Sequence, residues 1–448
     1  MNRSLVVLSA LLLAASSLLA RTWHILADGS GDAPTIQAGI DSAAGSDTVL
    51  VHHGTYTGLG NKDLDFHGKN LVVRSQNGPE VTIIDCEGSG RGFDLETGAA
   101  ANRYEIPVVE GFTVRNGSAE GGGAIRITGL SQSDDSYIKV IDCRLHENAA
   151  FSGGGMLVTG RVVAYLRRVV AQGNIASGTG GGIFLEGEFC RAWVESCAAV
   201  GNAAAGDAAR GGGVATDGAG WLILGHSTIA GNRSTGEGGG LAILGESSGP
   251  IDLNASVIWG NCAAGSGNQI HWEAPYDGNV CCIDTSGGEP LAFCYGCFHS
   301  DPLFCAPEEC LSAPTTDGDY RLDHASPCLP ANNLWGVQIG GFGEGCDIYT
   351  AVATGPAGRL SERVLAVSPN PGGGAFTIRY GLAASGPSTI QVFDIAGRLV
   401  RVLAAPGTEG NALWDGKDAS GRDAAPGVYF VRVSERTFID TKRVILVR

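Results

Sequence analysis

After residue 20 the chain has no apolar run long enough to cross a membrane as a helix, which needs about 20 consecutive apolar residues. This excludes an integral helical membrane protein. Basic residues are also scarce, since 30 Lys and Arg stand against 46 Asp and Glu and give a formal net charge of −16. Because an acidic surface repels phosphate backbones and anionic lipid headgroups, we expect neither nucleic acid nor an anionic membrane surface as a partner.

The sequence also has no motif that carries known catalytic chemistry. It contains no nucleophile elbow, no phosphate-binding loop and no histidine pair at metal-ligand spacing. The pattern places no two carboxylates across one groove, as glycoside hydrolysis requires. We therefore expect no catalytic residue, no cofactor and no metal site, and we favour a non-enzymatic protein.

Residues 1–20 have the form of a secretory signal peptide. Arg3 precedes an apolar run from Leu5 to Leu19, which is too short to span a bilayer comfortably. We expect cleavage after Ala20, with cleavage after Ser17 as the alternative. The protein is therefore expected to be secreted or to lie on the outer cell surface, where its 13 cysteines would form disulfides.

Glycine is abundant, at 70 residues, and it follows no Gly-X-Y period. Between Val109 and Asn261 one pattern returns five times: an Asn, a short polar loop, two or three glycines, four mostly apolar residues and another Gly. The closing glycines lie 31, 27, 31 and 27 residues apart, at Gly129, Gly160, Gly187, Gly218 and Gly245. Fixed periods of this size indicate stacked units.

Alignment on the asparagines brings pairs of apolar residues into register. Ten and eight residues before each Asn stand Ile106/Val108, Ile138/Val140, Ala164/Leu166, Ala192/Val194, Leu222/Leu224 and Ile251/Leu253. After the glycines stand Ile125/Ile127, Met156/Val158, Ile183/Leu185, Val214/Thr216 and Leu241/Ile243. Apolar residues at i and i+2 form one face of a strand. The columns predict an all-β chain built as a right-handed parallel β-helix, with two or three strands per coil and a rise of about 4.8 Å.

The asparagine column is expected to form a ladder of stacked amides at a corner rather than a ligand site, because Asn readily serves turns. Its members are Asn116, Asn148, Asn174, Asn202, Asn232 and Asn261.

The N-terminal part predicts a short helix that caps the open end of the solenoid. Asp32 can cap this helix, Pro34 suits its first turn, and Ile36 and Ile40 make one apolar face. The run Asp28-Gly29-Ser30-Gly31-Asp32 and the residues that follow resemble the opening of pectin-acting right-handed β-helix proteins. The resemblance implies the fold and the cap. It implies no chemistry, since the Gln-Asp-Thr-Leu motif of pectin methylesterases is absent.

The central coils resemble the repeats of chlamydial polymorphic outer membrane proteins. Gly122-Gly123-Ala124-Ile125 carries the Gly-Gly-Ala-Ile form of that repeat, and the similarity covers roughly residues 106–261. The resemblance implies a surface-exposed adhesive or passenger function.

Nine of the 13 cysteines lie between Cys262 and Cys346, where the repeat has ended, and they predict a stapled cap. Disulfides are favoured, and zinc remains the alternative for the closely spaced cysteines Cys281, Cys282, Cys294, Cys297, Cys305 and Cys310. Cys143 and Cys197 fall in one column two coils apart. That separation is about 9–10 Å, beyond the reach of a bridge, so the two should not pair.

The chain is expected to divide into a β-helix at 21–350, with the Cys-rich closing segment at 262–350, a linker at 351–362 and a separate module at 363–448. Alternating residues in this module predict about seven short strands in a sandwich. The runs Asp394-Ile395-Ala396-Gly397-Arg398, Trp414-Asp415-Gly416 and Pro426-Gly427-Val428-Tyr429-Phe430 resemble the FlgD-type immunoglobulin-like domain and the C-terminal sorting domains of type IX secretion. The resemblance implies an export or attachment tag, with the secretion machinery as its partner.

The outward residues of the strands before the asparagines supply one candidate site. Tyr165 should lie above Trp193, flanked by Arg167 and Glu195, and aromatic faces with polar edges suit a sugar ring. The alternative is that a corner loop covers both rings. We therefore expect an exported, non-enzymatic protein for adhesion or glycan binding, whose ligand is an extracellular polysaccharide or a host or cell-surface molecule. A polysaccharide-active lyase, esterase or hydrolase with its site on the solenoid flank is the alternative, and a purely structural stalk also remains open.

Overall fold

A computed structural model describes residues 20–97, 106–131, 133–245, 249–273, 276–285, 294–346, 364–368, 373–381, 388–394, 398–405, 409–435 and 438–447. The expected signal peptide, apart from residue 20, and the expected linker lie outside these ranges. The chain divides into two compact units, Met1–Cys346 and Asp347–Arg448. Within the described ranges, no helix is both long and apolar enough to cross a membrane.

The first unit is a parallel β-solenoid of about nine turns whose stacked strands form four sheets. Sheet 1 contains Thr22–Ile25, Thr48–Val51, Val72–Ser75, Val108–Glu110, Ser136–Ile141, Val162–Arg167, Cys190–Glu195, Trp221–Gly225, Ile251–Asn254, Asp277–Asn279 and Cys294–Tyr295. Sheet 2 contains Gly54–Tyr56, Thr82–Asp85, Thr113–Arg115, Arg144–His146, Val170–Gln172, Ala198–Val200, Thr228–Ala230, Val257–Trp259 and Cys282–Ile283.

The remaining two sheets complete each central coil. Sheet 3 contains Ser118–Gly121, Ala149–Ser152, Ile175–Ala176, Ala203–Ala204, Arg233–Ser234 and Cys262–Ala263. Sheet 4 contains Phe93–Thr97, Ile125–Gly129, Met156–Gly160, Ile183–Glu186, Val214–Asp217, Leu241–Leu244 and Ile270–Trp272. A central coil therefore contributes one strand to each of four sheets, rather than the two or three strands expected.

The predicted internal columns are confirmed. Val140, Leu166, Val194 and Leu224 are partners in successive parallel pairs, and all four side chains are buried. The apolar residues predicted after the glycines pair in the same way in sheet 4, from Ile125 to Leu241. Because every central coil turns the inner faces of its strands in sheets 1, 2 and 4 toward the same interior, neighbouring coils share one continuous core.

The asparagine ladder is also confirmed from Asn148 to Asn261. Each Nδ2 donates to the Oδ1 of the Asn one coil further along, at 2.9–3.0 Å. The same Oδ1 accepts the backbone N–H of the preceding Asn, and each Nδ2 also donates to a carbonyl one coil before. These amides are buried, so the bonds satisfy polar groups that would otherwise be costly to bury.

The alignment of the first repeated coil was wrong by one residue. Val109, not Val108, pairs with Val140 and lies inside the solenoid. The ladder position of this coil is held by Gly117, whose N–H donates to Asn148 Oδ1 at 2.8 Å. Asn116 precedes it with φ of 56°, a left-handed conformation that Asn tolerates. The alignment therefore took Asn116 for the ladder residue, although Gly117 holds that position. Moving the alignment of a strand by one residue exchanges its inward and outward residues.

The N-terminal helix, Ile36–Ser42, caps the first coil as expected. It buries Ile36 and Ile40, and Gly39 faces Ile25 so closely that an added Cβ would lie 2.7 Å from Ile25 Cδ1. The expected cap residue was wrong, because Thr35 Oγ1 accepts the N–H of Ala38. Asp32 instead accepts the N–H of His24 at 2.8 Å.

The Cys-rich segment does not simply cover the end of the solenoid. Its three-stranded sheet contains Phe304–Ala306, Asp319–Asp323 and Glu344–Cys346, and two short 3-10 helices span Cys310–Ser312 and Pro330–Asn332. The segment packs against the outer face of sheet 2, where Phe304 and Leu322 share a core with Val200 and Val257. It reaches back as far as Gln172, whose Nε2 donates to Thr316 O at 3.0 Å.

Disulfides join Cys262 to Cys310, Cys294 to Cys297, and Cys305 to Cys346. Disulfides were therefore the right expectation for Cys294, Cys297, Cys305 and Cys310, but not for Cys281 and Cys282, which are free thiols. Cys143 and Cys197 are buried free thiols with Val169 between them in the column, as the stacking argument predicted. The other buried free thiols among the described residues are Cys86, Cys190, Cys281, Cys282 and Cys328.

The second unit consists of two antiparallel sheets around one core that contains Phe376, Trp414 and Val431. One sheet contains Val364–Ser368, Phe376–Gly381 and Glu409–Trp414. The other contains Leu399–Ala405, Ser388–Asp394, Gly427–Glu435 and Phe438–Leu446. Alternation predicted most of these strands, but it missed Glu409–Trp414, where Gly410 and Asn411 dilute the pattern.

Replacing Asn202 by Ala should lower the free energy of unfolding by about 2–4 kcal/mol. The change removes the acceptor of Asn174 and the donor to Ala171 O, and each buried group left unpaired costs about 1–3 kcal/mol. Urea unfolding followed by circular dichroism measures the loss. Asn77→Ala is the control, because Asn77 is exposed and lies outside the ladder, so its cost should stay below about 1 kcal/mol. Equal losses in the two variants would contradict the ladder as the main stabilising feature.

Cys143, Cys190 and Cys197 should resist alkylation in the folded protein at pH 8. Burial raises the pKa of each thiol to about 12, so the thiolate is scarce below that pH, and the sulfur is also screened from the reagent. Mass spectrometry after iodoacetamide treatment, with and without urea, tests this. Cys262 and Cys310 serve as an internal reference, since they should label only after reduction. Rapid labelling of Cys143 without urea would show that the column is not buried.

Candidate functional site

The outer face of sheet 1 brings together the residues that the sequence singled out. Tyr165 pairs with Trp193, and Arg167 pairs with Glu195, on consecutive coils. The two rings are stacked, with centroids 5.2 Å apart and planes inclined by 9°. Both aromatic side chains are half-buried, whereas Arg167 and Glu195 are exposed. The expected arrangement of two rings beside two charges is thus present in the structure.

Trp221 extends this aromatic column and was missed in the sequence. Its ring centroid lies 4.5 Å from that of Trp193, and the two planes are inclined by 68°. In register Trp221 is the partner of Arg191 rather than of Trp193, so a search within one column overlooks it. Diagonal neighbours on a sheet are still within reach of large aromatic side chains, which is the signal that could have revealed Trp221.

Ion pairs lie along one edge of the column formed by Tyr165, Trp193 and Trp221. Arg191 donates to Asp135 Oδ2 at 2.6 Å, and its guanidinium carbon lies 5.6 Å from the centroid of the Trp221 ring. Asp135 also lies 3.6 Å from Arg161, which stacks on Phe189. The column is therefore bordered by ion pairs rather than covered by them, because Tyr165, Trp193 and Trp221 keep part of their surface exposed.

Two carboxylates follow the aromatic residues on the same face. The column that contains Trp193 continues through Ile223 to Asp252 and Asp277, which pair on adjacent coils. Burial, and then the charge of Asp277, raises the pKa of Asp252. A carboxyl group with a raised pKa beside a second carboxylate is one arrangement that can supply a general acid and a general base.

A cleft of about 550 Å³ lies between the outer face of sheet 2 and the closing segment. Val170 and Phe342 line it together with two bidentate ion pairs, Arg144 with Glu80 and Arg321 with Asp319. The Arg321 side chain, by hydrogen bonding, holds the pKa of Asp319 below its ordinary value. No sequence pattern indicates this cleft, because it forms only where the closing segment folds back.

A third group of side chains converges on the outer face of sheet 4. Glu237, His271 and Glu273 each point one ligand atom at the others, with all three atoms within 4.8 Å of one another. The search for metal-ligand spacing overlooked them, because Glu237 belongs to the preceding coil. Such a set of one imidazole nitrogen and two carboxylate oxygens could hold a divalent cation.

Comparison with known proteins identifies the C-terminal unit. Residues 366–447 match the family model described as the secretion system C-terminal sorting domain. No curated protein matches the chain.

Two solved structures share a local similarity with the chain. One is PorZ of Porphyromonas gingivalis, described as an essential bacterial surface component of the type-IX secretion system, with 26% identity over 19% of this chain and 11% of that chain and a TM-score of 0.16. The other is dimeric latent PorU from the same organism, with 22% identity over 20% of this chain and 10% of that chain and a TM-score of 0.17. The chain thus matches only about a tenth of the length of either protein.

The sorting domain indicates where the protein is found. A domain of this family implies interaction with the secretion machinery, and hence export. The protein is therefore an exported parallel β-solenoid with a type IX secretion C-terminal sorting domain, secreted or attached to the cell surface.

Proposed function

We propose that the solenoid is a non-enzymatic surface protein that binds an extracellular polysaccharide through the outer face of sheet 1. The observation that carries this proposal is the half-exposed aromatic column formed by Tyr165, Trp193 and Trp221, with Arg167 and Glu195 beside it. Sugar rings have apolar faces and polar edges, so they bind where aromatic rings adjoin charged or hydrogen-bonding groups.

The ring orientations favour Trp221 as the ring that meets the sugar. Tyr165 and Trp193 use one face each to stack on one another, so neither offers that face to a ligand. Trp221 is inclined by 68° to Trp193, so its ring takes no part in that parallel stack. We infer that Trp221 stacks on a sugar ring while Arg167 and Glu195 bind hydroxyl groups along the column.

The solenoid also holds this surface in place without a ligand. Backbone pairing fixes the column on both sides, and the stacked rings restrict each other's side-chain rotation. Because less freedom is lost on binding, a preorganised surface binds more tightly than a flexible one. A long polymer could then follow consecutive coils, which repeat about every 4.8 Å.

We propose that the C-terminal unit directs the export of the protein and takes no part in ligand binding. Its two antiparallel sheets around one core support an immunoglobulin-like module of the FlgD type, as its sequence motifs indicate. The solenoid would then be the functional cargo and the secretion machinery the partner of the sorting domain.

Trp193→Ala and Trp221→Ala should each weaken polysaccharide binding at least about tenfold, equal to about 1.4 kcal/mol. A glycan array identifies the ligand, and calorimetry with the best ligand measures the change. The control is Phe151→Ala, since Phe151 is 62% exposed but lies on sheet 3, away from the column. Its affinity should equal that of the unaltered protein.

The same ligand also tests the enzymatic alternative, for which the pair Asp252 and Asp277 is the supporting observation. If the protein releases new polysaccharide chain ends, and if this release is lost in Asp252→Asn, the protein is an enzyme.

The cleft over sheet 2 is the alternative binding site. Binding that survives Trp221→Ala but is lost in Arg321→Ala would place the ligand there. If no glycan binds, the solenoid acts as a structural stalk.

A further inference from the structure

We propose that Glu237, His271 and Glu273 form a binding site for a first-row divalent cation, Zn²⁺ above all, on the outer face of sheet 4. His271 Nε2 lies 3.4 Å from Glu237 Oε2 and 3.8 Å from Glu273 Oε1. Both separations exceed ordinary hydrogen-bond lengths. They are close to the spacing of about 3.3 Å between ligand atoms around a tetrahedral ion with bonds of about 2.0–2.1 Å.

The strand geometry explains why these side chains meet. His271 and Glu273 stand two residues apart at the end of the strand Ile270–Trp272, so they share its outer face. Glu237 comes from the corner one coil earlier, where it pairs with Arg210. An ion held by all three would join two consecutive coils at the end of sheet 4.

Hydrogen bonds around the cluster hold the His271 ring in place. Ser266 Oγ lies 3.3 Å from Glu237 Oε1, to which its hydroxyl can donate, and 3.0 Å from His271 Nδ1. In the tautomer that carries hydrogen on Nδ1, the Nε2 lone pair faces the two carboxylates, and this is the form in which Nε2 can bind a metal ion.

Burial strengthens this argument. His271 Nε2 is enclosed and has no hydrogen-bond partner among the described residues. One oxygen of Glu273 is already occupied, because the N–H of Gly245 donates to Oε2 at 2.9 Å. The other oxygen, Oε1, is the one turned toward His271.

The donor set selects the class of ion. Ca²⁺ takes six to eight oxygen ligands and Mg²⁺ keeps most of its waters, so neither is favoured by one imidazole and two carboxylates. Zn²⁺ accepts nitrogen and oxygen ligands, and three protein ligands plus water make a common coordination shell. Glu273 and Glu237 are 43% and 34% exposed, so water can complete this shell.

Arg210 competes with the ion for the same oxygens. Its guanidinium lies 3.4 Å from Glu237 Oε2 and 3.7 Å from Glu273 Oε1, too far for well-formed hydrogen bonds. The side chain is 39% exposed, so it can neutralise the carboxylates and still has solvent into which to withdraw when a cation arrives. This makes Arg210 a diagnostic position, because its removal should favour the metal.

Calorimetric titration of the full, chelator-treated chain with ZnCl₂ near pH 7.5 tests the proposal. One Zn²⁺ per chain is expected, with affinity reduced at least tenfold in His271→Ala and Glu273→Gln, and increased several-fold in Arg210→Gln. His67→Ala is the matched control. His67 faces Asp41 and Asp65 through different nitrogens, so it forms two ion pairs instead of one convergent site.

Circular dichroism and thermal unfolding establish that each variant is folded, and Glu237→Gln, a nearly isosteric change, provides a second test if His271→Ala is unstable. Co²⁺ offers a separate readout, since the visible absorption of the bound ion should disappear in Glu273→Gln. Zinc affinity that is unchanged in His271→Ala and Glu237→Gln would reveal an adventitious ion only. Tighter binding of Ca²⁺ than of Zn²⁺, or weaker zinc binding in Arg210→Gln, would also overturn the proposal.

Discussion

The asparagine ladder is the interaction on which the register of the central coils depends. Each amide bonds to the next amide, to the backbone of its own column and to a carbonyl one coil before. A shift of one residue between coils would leave several of these buried groups unpaired at once, at a cost of about 1–3 kcal/mol each. The apolar columns favour burial but tolerate many apolar neighbours, whereas the ladder accepts only one alignment.

A fixed register turns sequence separation into contact. Residues 28 apart, such as Tyr165 and Trp193, stack on each other because each coil returns to the same place. The outward positions are not needed for the core, so they can carry aromatic, acidic or basic residues without a change of fold. The aromatic column and the Glu237 cluster are two results of this freedom, and each draws its residues from more than one coil.

The repeat made the central solenoid predictable from sequence, because the apolar columns and the asparagines return together in every coil. Prediction failed where a feature depended on something outside that period. Asn116 imitated a ladder residue that is in fact Gly117, and only the pairing of Gly117 with Asn148 reveals the difference. Trp221 was missed because it reaches Trp193 diagonally. The cleft over sheet 2 could not be predicted, since nothing periodic indicates where a non-repeating segment folds back.

The end of the ladder explains why the regular repeat stops after residue 261 and a disulfide-bonded segment begins. Asn261 donates to Gln269 Oε1 at 2.7 Å, and Gln269 in turn donates to Asp284, so no further Asn is needed. Without the ladder, later coils lose the interaction that fixes register, and the strands of sheet 1 shorten to Asp277–Asn279 and Cys294–Tyr295. Covalent bonds take over at this point: Cys262 lies one residue after the last ladder Asn and joins Cys310 in the closing segment. Because that segment packs back along sheet 2, the crosslink also fastens it to the coils that the ladder has already aligned.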